Sequence, residues 1–301
     1  MKRANINVRF SSSDHTTIYD SFCAACNWFE QYGFELARTR LRKYERIIAE
    51  LANHQRAGTL TTADFQHTFS QQANAYGEVS EILRIHKGLA SLYESALRDR
   101  LEKILSGKDG RPSTHEFDPA RDTAFELLMA SRLHAVGYAI DFSNDADLLI
   151  TIDGNALFVE CKRLKSTSCI QKRIRKGLKQ LRRRYDQPVA KNKGKGILAL
   201  SISDLENPQH QLLVSATPHT MSEYAGNINY HFVKEHERIW HNGSDKRTIG
   251  VLVEFSTVGI INNPHMLTTC TEIGINNCCP IDSVDWELLL KLSKEMARAA
   301  I

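Results

Sequence analysis

The chain of 301 residues lacks any apolar run long enough to span a bilayer, which excludes a membrane-spanning helix. Its opening residues, MKRANINVRFSSS, hold no apolar h-region, so no secretory signal is expected there. Cysteine is sparse, odd in number at seven, and scattered apart from Cys278-Cys279. That count does not suit a disulfide framework and points to reduced thiols in a cytoplasmic compartment. Cys23-Ala24-Ala25-Cys26 has metal-ligand spacing, but no second CxxC accompanies it. It lies within a helical pattern, so buried thiols are the better account. The histidines form no HxxxH or HExxH pattern in a helical context, and Gly194-Lys195-Gly196 lacks the rest of a phosphate-cradling loop, so no nucleotide cofactor is expected. There are no internal repeats and no low-complexity tract.

Charge is present but unevenly spread. The net charge is +4, yet residues 162–195 carry fourteen Lys/Arg and a single acid, Asp186, giving +13 there and −9 elsewhere. A charge run is usually a solvated face, but solvated faces mix signs. A one-sided patch on an acidic body suits a polyanion.

Along the chain, Asn5–Phe10 reads as a short strand. Apolar residues at three- and four-residue spacing then predict a long helix from Thr16 through Leu51, with a phase shift at Ala37. AGTLTTAD interrupts it, with Thr61 or Thr62 as N-cap. A second helix carries Ile82, His86, Leu89, Tyr93, Leu97 and Leu101 on one side. Together they predict a helical hairpin filling residues 1–110, able to form a homodimer or dock a partner protein. Residues 106–119 read as a linker. Beyond it, Asp118 caps a helix with Pro119 at its first position and Gly137 ending it. Strands follow at Tyr138–Phe142, Asp147–Ile152 and Ala156–Lys162, then a basic helix at Ser168–Tyr185 and a buried strand at Lys195–Ser203. The tail reads as helix (Thr220–Asn242), strands (Thr248–Ile261 and Met266–Ile275) and an amphipathic helix (Val284–Ala300). The fold class is α/β: a helical N-terminal part, then residues 117–301 as a mixed sheet flanked by helices.

The stretch DLLITIDGNALFVECK, residues 147–162, concentrates the chemistry. Two strands joined at Asp153-Gly154 bring Asp147 beside Glu160 and Lys162. Strand alternation puts Glu160 and Lys162 on one face and Cys161 on the other. Charges at the end of so apolar a hairpin need partners or a metal. Mg²⁺ favours a few hard oxygens; Asp147, Glu160 and the backbone carbonyl of Cys161 supply three, and Mn²⁺ is an acceptable substitute. An ammonium at Lys162 would orient or help deprotonate a metal-bound water and would offset charge on a phosphate. For Asp147 the plain alternative is a strand-capping acid, with Asp145 as a fallback ligand.

This arrangement resembles the PD-(D/E)XK, or restriction-endonuclease-like, nuclease superfamily. The residues that carry the likeness are Glu126 on the preceding helix, Asp147, Glu160-Cys161-Lys162, and the basic helix with Gln180. The order helix, three strands, helix, strand is similar to that family's αβββαβ core. The Gln-x-x-x-Tyr spacing of some branches is not met, since Tyr185 lies five residues beyond Gln180, and Ala146 stands where many members have Pro. The likeness covers residues 117–203. It implies metal-dependent hydrolysis of phosphodiester bonds, duplex DNA ahead of RNA, in defence, restriction or repair. It makes Glu126 a further metal-binding or tuning carboxylate, against the alternative of a solvent-facing helix charge. Arg173, Lys176, Lys179, Gln180, Arg182 and Arg183 become backbone contacts. Two other classes remain: a nuclease fold that binds nucleic acid without cutting, and an adaptor subunit acting through its helices.

Overall fold

The computed structural model describes residues 3–59, 69–108, 118–190, 193–261 and 266–299. Thr61, Thr62, Lys191 and the middle of the expected linker lie outside them. The chain opens with strand β1 (Arg3–Asp14) and helices α1 (His15–Gln31), α2 (Arg40–Arg56), α3 (Phe69–Leu89) and α4 (Ser95–Leu105). Helix α5 (Pro119–Ala135) follows, then strands β2 (Ile140–Asp141), β3 (Leu148–Ile152) and β4 (Asn155–Arg163). Helix α6 (Ile170–Arg184) leads to strand β5 (Lys195–Ser201), a single turn α7 (Ser203–Glu206) and strand β6 (Leu213–Ser215). Helix α8 (Pro218–Gly243), strands β7 (Thr248–Ile261) and β8 (Met266–Asn277), and helix α9 (Val284–Met296) complete it.

The strands form one mixed sheet in the order β1-β8-β7-β5-β4-β3-β2, with β6 beside β7. β2, β3 and β4 are antiparallel, whereas β5 runs parallel to both β4 and β7. The β3–β4 turn has a local cause. Asp153 and Gly154 are both left-handed, at φ 49 and 75, between the paired residues Ile152 and Asn155. That is the backbone of a two-residue type I′ turn, which favours Asp-Gly. Helix α5 begins as expected: Asp118 accepts from the Arg121 N–H, and Pro119 sits at the first position.

Alternation divides the core between the two faces of the sheet. On one, Leu148, Ile150, Leu157, Val159 and Cys161 pack with the apolar stripes of α1 to α5 and α9. On the other, Leu149, Phe158, Leu198 and Leu200 pack under α6 and α8. The apolar stripes of the N-terminal helices are therefore buried in the chain's own core, and β1 is hydrogen-bonded to β8.

Among the described residues, the two long N-terminal helices expected from periodicity are instead four. The first pattern breaks between Gln31 and Arg40, where Gly33 takes φ 83 and donates to the Glu30 carbonyl. The phase shift near Ala37 is the trace of that break. The second breaks between Leu89 and Ser95, leaving Tyr93 exposed. Tyr138–Phe142 contributes a strand of only two residues. Among the described residues no helix is long and apolar enough to cross a membrane. Cys26 is buried within α1 and, like the other six cysteines, is a free thiol.

Candidate active site

The hairpin end gathers the charged residues expected there. Asp147 directly precedes β3, and its Oδ2 accepts from the Cys161 N–H at 2.7 Å and from Lys162 Nζ at 3.1 Å. Glu160 points to the α6 side and is 0% exposed. Its Oε2 lies 3.4 Å from Lys162 Nζ, and its Oε1 accepts from Arg184 Nε at 3.1 Å. Lys162 Nζ also donates to the Cys161 carbonyl at 2.6 Å. One ammonium thus gathers all three oxygens expected to act as metal ligands. The Cys161 thiol points to the opposite core, where burial holds its pKa well above the ordinary thiol value.

Burial sets the electrostatics. It pushes Glu160 up to about 7, with Asp147 adding to the rise while Lys162 and Arg184 oppose it. Glu126 is likewise pushed up to about 7, by burial and then Asp147, against Arg100 and Lys162. Burial also opposes the charge on Lys162, but Asp147 and Glu160 outweigh it and hold the ammonium above its usual pKa. Carboxylates that titrate near neutrality beside a buried lysine are typical of sites that exchange protons or cations.

Glu126, at the edge of α5, does not face solvent alone. Its Oε2 accepts from Arg100 Nη1 on α4 at 2.6 Å. Arg100 Nη2 reaches the carbonyls of Phe142 at 3.5 Å and Ala146 at 3.4 Å. One guanidinium therefore ties α5 to the segment that delivers Asp147. Asp145, the fallback ligand, is exposed and 3.7 Å from Arg184, outside the cluster.

Helix α6 crosses above the site. Arg173, Gly177, Gln180 and Arg184 recur at three- to four-residue spacing and form its inward edge. Arg173 is half-buried, 4.0 Å from Asp122 on α5. A Cβ on Gly177 would meet Leu198 Cδ1 at 2.4 Å and Lys162 Cγ at 3.4 Å, so glycine lets the helix lie against the lysine stem. Gln180 is half-buried, and its Oε1 has no hydrogen-bond partner. Lys176, Lys179, Arg182 and Arg183 stand exposed on the outer surface, with Arg182 also donating to the Gly243 carbonyl at 2.6 Å.

Arg184, Arg100, Asp122 and Gly177 were not singled out from the sequence. The signal for Arg184 was present: it lies one helical turn beyond Gln180 on the same edge. Nothing local marks Arg100, which comes from a helix 60 residues before Glu160.

Among the described residues, no three His, Cys, Asp or Glu side chains converge as a metal-holding group. The reason is visible in the contacts: Lys162 takes the centre, and Arg184 and Arg100 each take one carboxylate. The donor chemistry nevertheless fits a hard divalent cation, because the atoms facing the ammonium are all oxygens and the nearby thiol faces away. Compared with known proteins, the chain matches no family model, no curated protein and no solved structure.

Proposed function

We infer that this chain is a metal-dependent nuclease hydrolysing phosphodiester bonds of nucleic acid, duplex DNA ahead of RNA. The observation that carries the inference is Lys162 Nζ, held between Asp147 and Glu160 at the buried end of an apolar hairpin, beneath a helix whose outer surface is basic. The element order supports a restriction-endonuclease-like core: α5, three antiparallel strands, α6, and β5 parallel to β4.

In this reading Asp147, Glu160 and the Cys161 carbonyl would hold Mg²⁺, with Mn²⁺ able to substitute, and Glu126 would tune the site from α5. A bound Mg²⁺ would supply Lewis-acid polarisation of the phosphoryl oxygen and acidify a water. Lys162 would orient an attacking water toward phosphorus and offset the charge that builds on the phosphate. Arg184 keeps Glu160 oriented and favours its ionised form. Lys176, Lys179, Arg182 and Arg183 bind the nucleic-acid backbone, which makes affinity steeply salt-dependent.

A cleavage assay on plasmid, linear duplex, single-stranded and RNA substrates, with Mg²⁺ or with EDTA, tests the proposal. Cleavage that needs the cation supports it. No cleavage of any substrate contradicts it. The seating of Lys162 and both arginines on the carboxylates favours one second reading, a nucleic-acid-binding protein without catalysis. That reading predicts salt-sensitive binding indifferent to Mg²⁺ and no product.

A further inference from the structure

A second site lies away from the hairpin, on the sheet face covered by the N-terminal helices. That face is apolar at one end, where Leu252, Ile273 and Ile275 join the core. At the other end the same face turns polar. Thr269 and Thr271 of β8 alternate inward, and Ser11 of β1 pairs opposite Thr269. Here α1 and α3 stand off the sheet and leave a cleft of about 950 Å³. A sheet face beneath helices is ordinarily apolar, since polar groups there must find partners. A wall of hydroxyls facing an open cleft is what a ligand site needs, and the volume is that of a small-molecule pocket.

The cleft has a charged side and an apolar side. Tyr76, Ser80, Arg84 and Lys87 line it from α3 at three- and four-residue spacing, so one helix face supplies two cations and the Ser80 hydroxyl, which lies 2.9 Å from Thr269 Oγ1, while the Tyr76 hydroxyl is taken up by His15 Nδ1 at 2.6 Å. Arg84 is fixed at the floor, donating to Thr271 Oγ1 at 3.2 Å and to the Ser80 carbonyl at 3.3 Å, with Glu254 behind it at 3.7 Å. Lys87 is exposed at the rim. No carboxylate occurs among the described residues that line the cleft. Ile18, Leu83, Val258 and Leu267 form the apolar wall.

We propose that this cleft binds an organic phosphate about the size of a nucleoside monophosphate. Its phosphate lies toward Arg84 and Lys87, its hydroxyls toward Ser80 and Thr269, and its flat apolar part against Ile18 and Leu267. The missing phosphate-cradling loop does not bear on this site, which is built from side chains rather than backbone amides. The proposal is independent of the nuclease reading, because its test requires no cleavage.

The test is calorimetric titration of the full chain with AMP, adenosine and inorganic phosphate. AMP binds, and adenosine and inorganic phosphate each bind at least about tenfold more weakly. Lys87→Glu at the rim and Ala24→Trp at the mouth are both at exposed positions, so the fold is retained. Each weakens AMP binding at least about tenfold. Lys179→Ala, on the opposite side of the sheet, leaves it unchanged. Absence of AMP binding, equal affinity for adenosine or inorganic phosphate, indifference to both cleft variants, or loss of binding in Lys179→Ala overturns the proposal.

Discussion

Replacing Gly88 by alanine tests how the N-terminal helices are joined to the helix that carries Glu126. Gly88 lies on α3 where it crosses α5. A Cβ there would sit 2.3 Å from Ser131 Cβ and 2.8 Å from both the Ser131 Cα and its carbonyl oxygen. Ordinary contact begins near 3.4 Å, and neither backbone atoms nor a Cβ can turn away. The helices must therefore separate or rotate, which opens the core along their length. Overpacking of this kind costs about 1–3 kcal/mol, and the rigidity of both partners argues for the upper end. Alanine regains about 1 kcal/mol of helix propensity. The net expectation is a loss of about 2 kcal/mol, measured as a lower urea midpoint at unchanged slope. Gly226→Ala is the matched control. It lies within α8 with nothing within 4 Å of its added Cβ, so only the propensity gain remains and the midpoint rises. A Gly88→Ala protein as stable as wild type would refute the close crossing, and with it the placement of α5 by α3.

Three further outcomes follow from the site. Arg100→Gln frees Glu126 and the carbonyls of Phe142 and Ala146, so cleavage falls by about one to two orders of magnitude with the fold retained, and Arg100→Lys restores part of it. Unchanged rates in Arg100→Gln would remove it from the site. Neutralising Lys179, Arg182 and Arg183 one at a time flattens the dependence of log K on log salt by about 0.9 per lost contact on duplex DNA; an unchanged slope would move the backbone path elsewhere. For pH, burial raises Glu126 and Glu160 from 4.5 to about 7, so the folded cation-free protein binds protons more tightly than the unfolded chain. Their contribution is full below about pH 4.5 and is lost as pH rises through 7. Urea midpoints therefore fall between pH 5 and 8, and the fall is smaller in Glu160→Gln; an equal fall in both would contradict the burial of Glu160.

The hairpin was legible because its cause is local. Asp153-Gly154 specifies the turn, and alternation then places Glu160 and Lys162 together with Cys161 opposite. Asp118-Pro119 marked the start of α5 for the same reason. What stayed hidden depends on contacts between distant segments. The pairing of β1 with β8 joins the two ends of the chain, and no periodicity encodes it. Nothing local in the sequence marks Arg40 and Arg121, which are both buried on Glu78, with Asp118 completing the network. Arg100 and Arg184 are two cations among many until packing brings them to Glu126 and Glu160. The broken N-terminal helices show the opposite case. Their apolar spacing holds at Ile18, Phe22, Leu41 and Ile48, all buried, but Tyr93 is exposed and Gly33 divides what periodicity joined.

The proposal that Lys162, held by Asp147 and Glu160, serves cleavage rather than stability alone is tested by the rate of plasmid cleavage in Mg²⁺ by wild type and Lys162→Ala, with duplex binding measured on the same preparations. Cleavage by wild type is expected, with a loss of at least about a hundredfold in the variant and closely similar binding in both. Equal cleavage by the two proteins would contradict it.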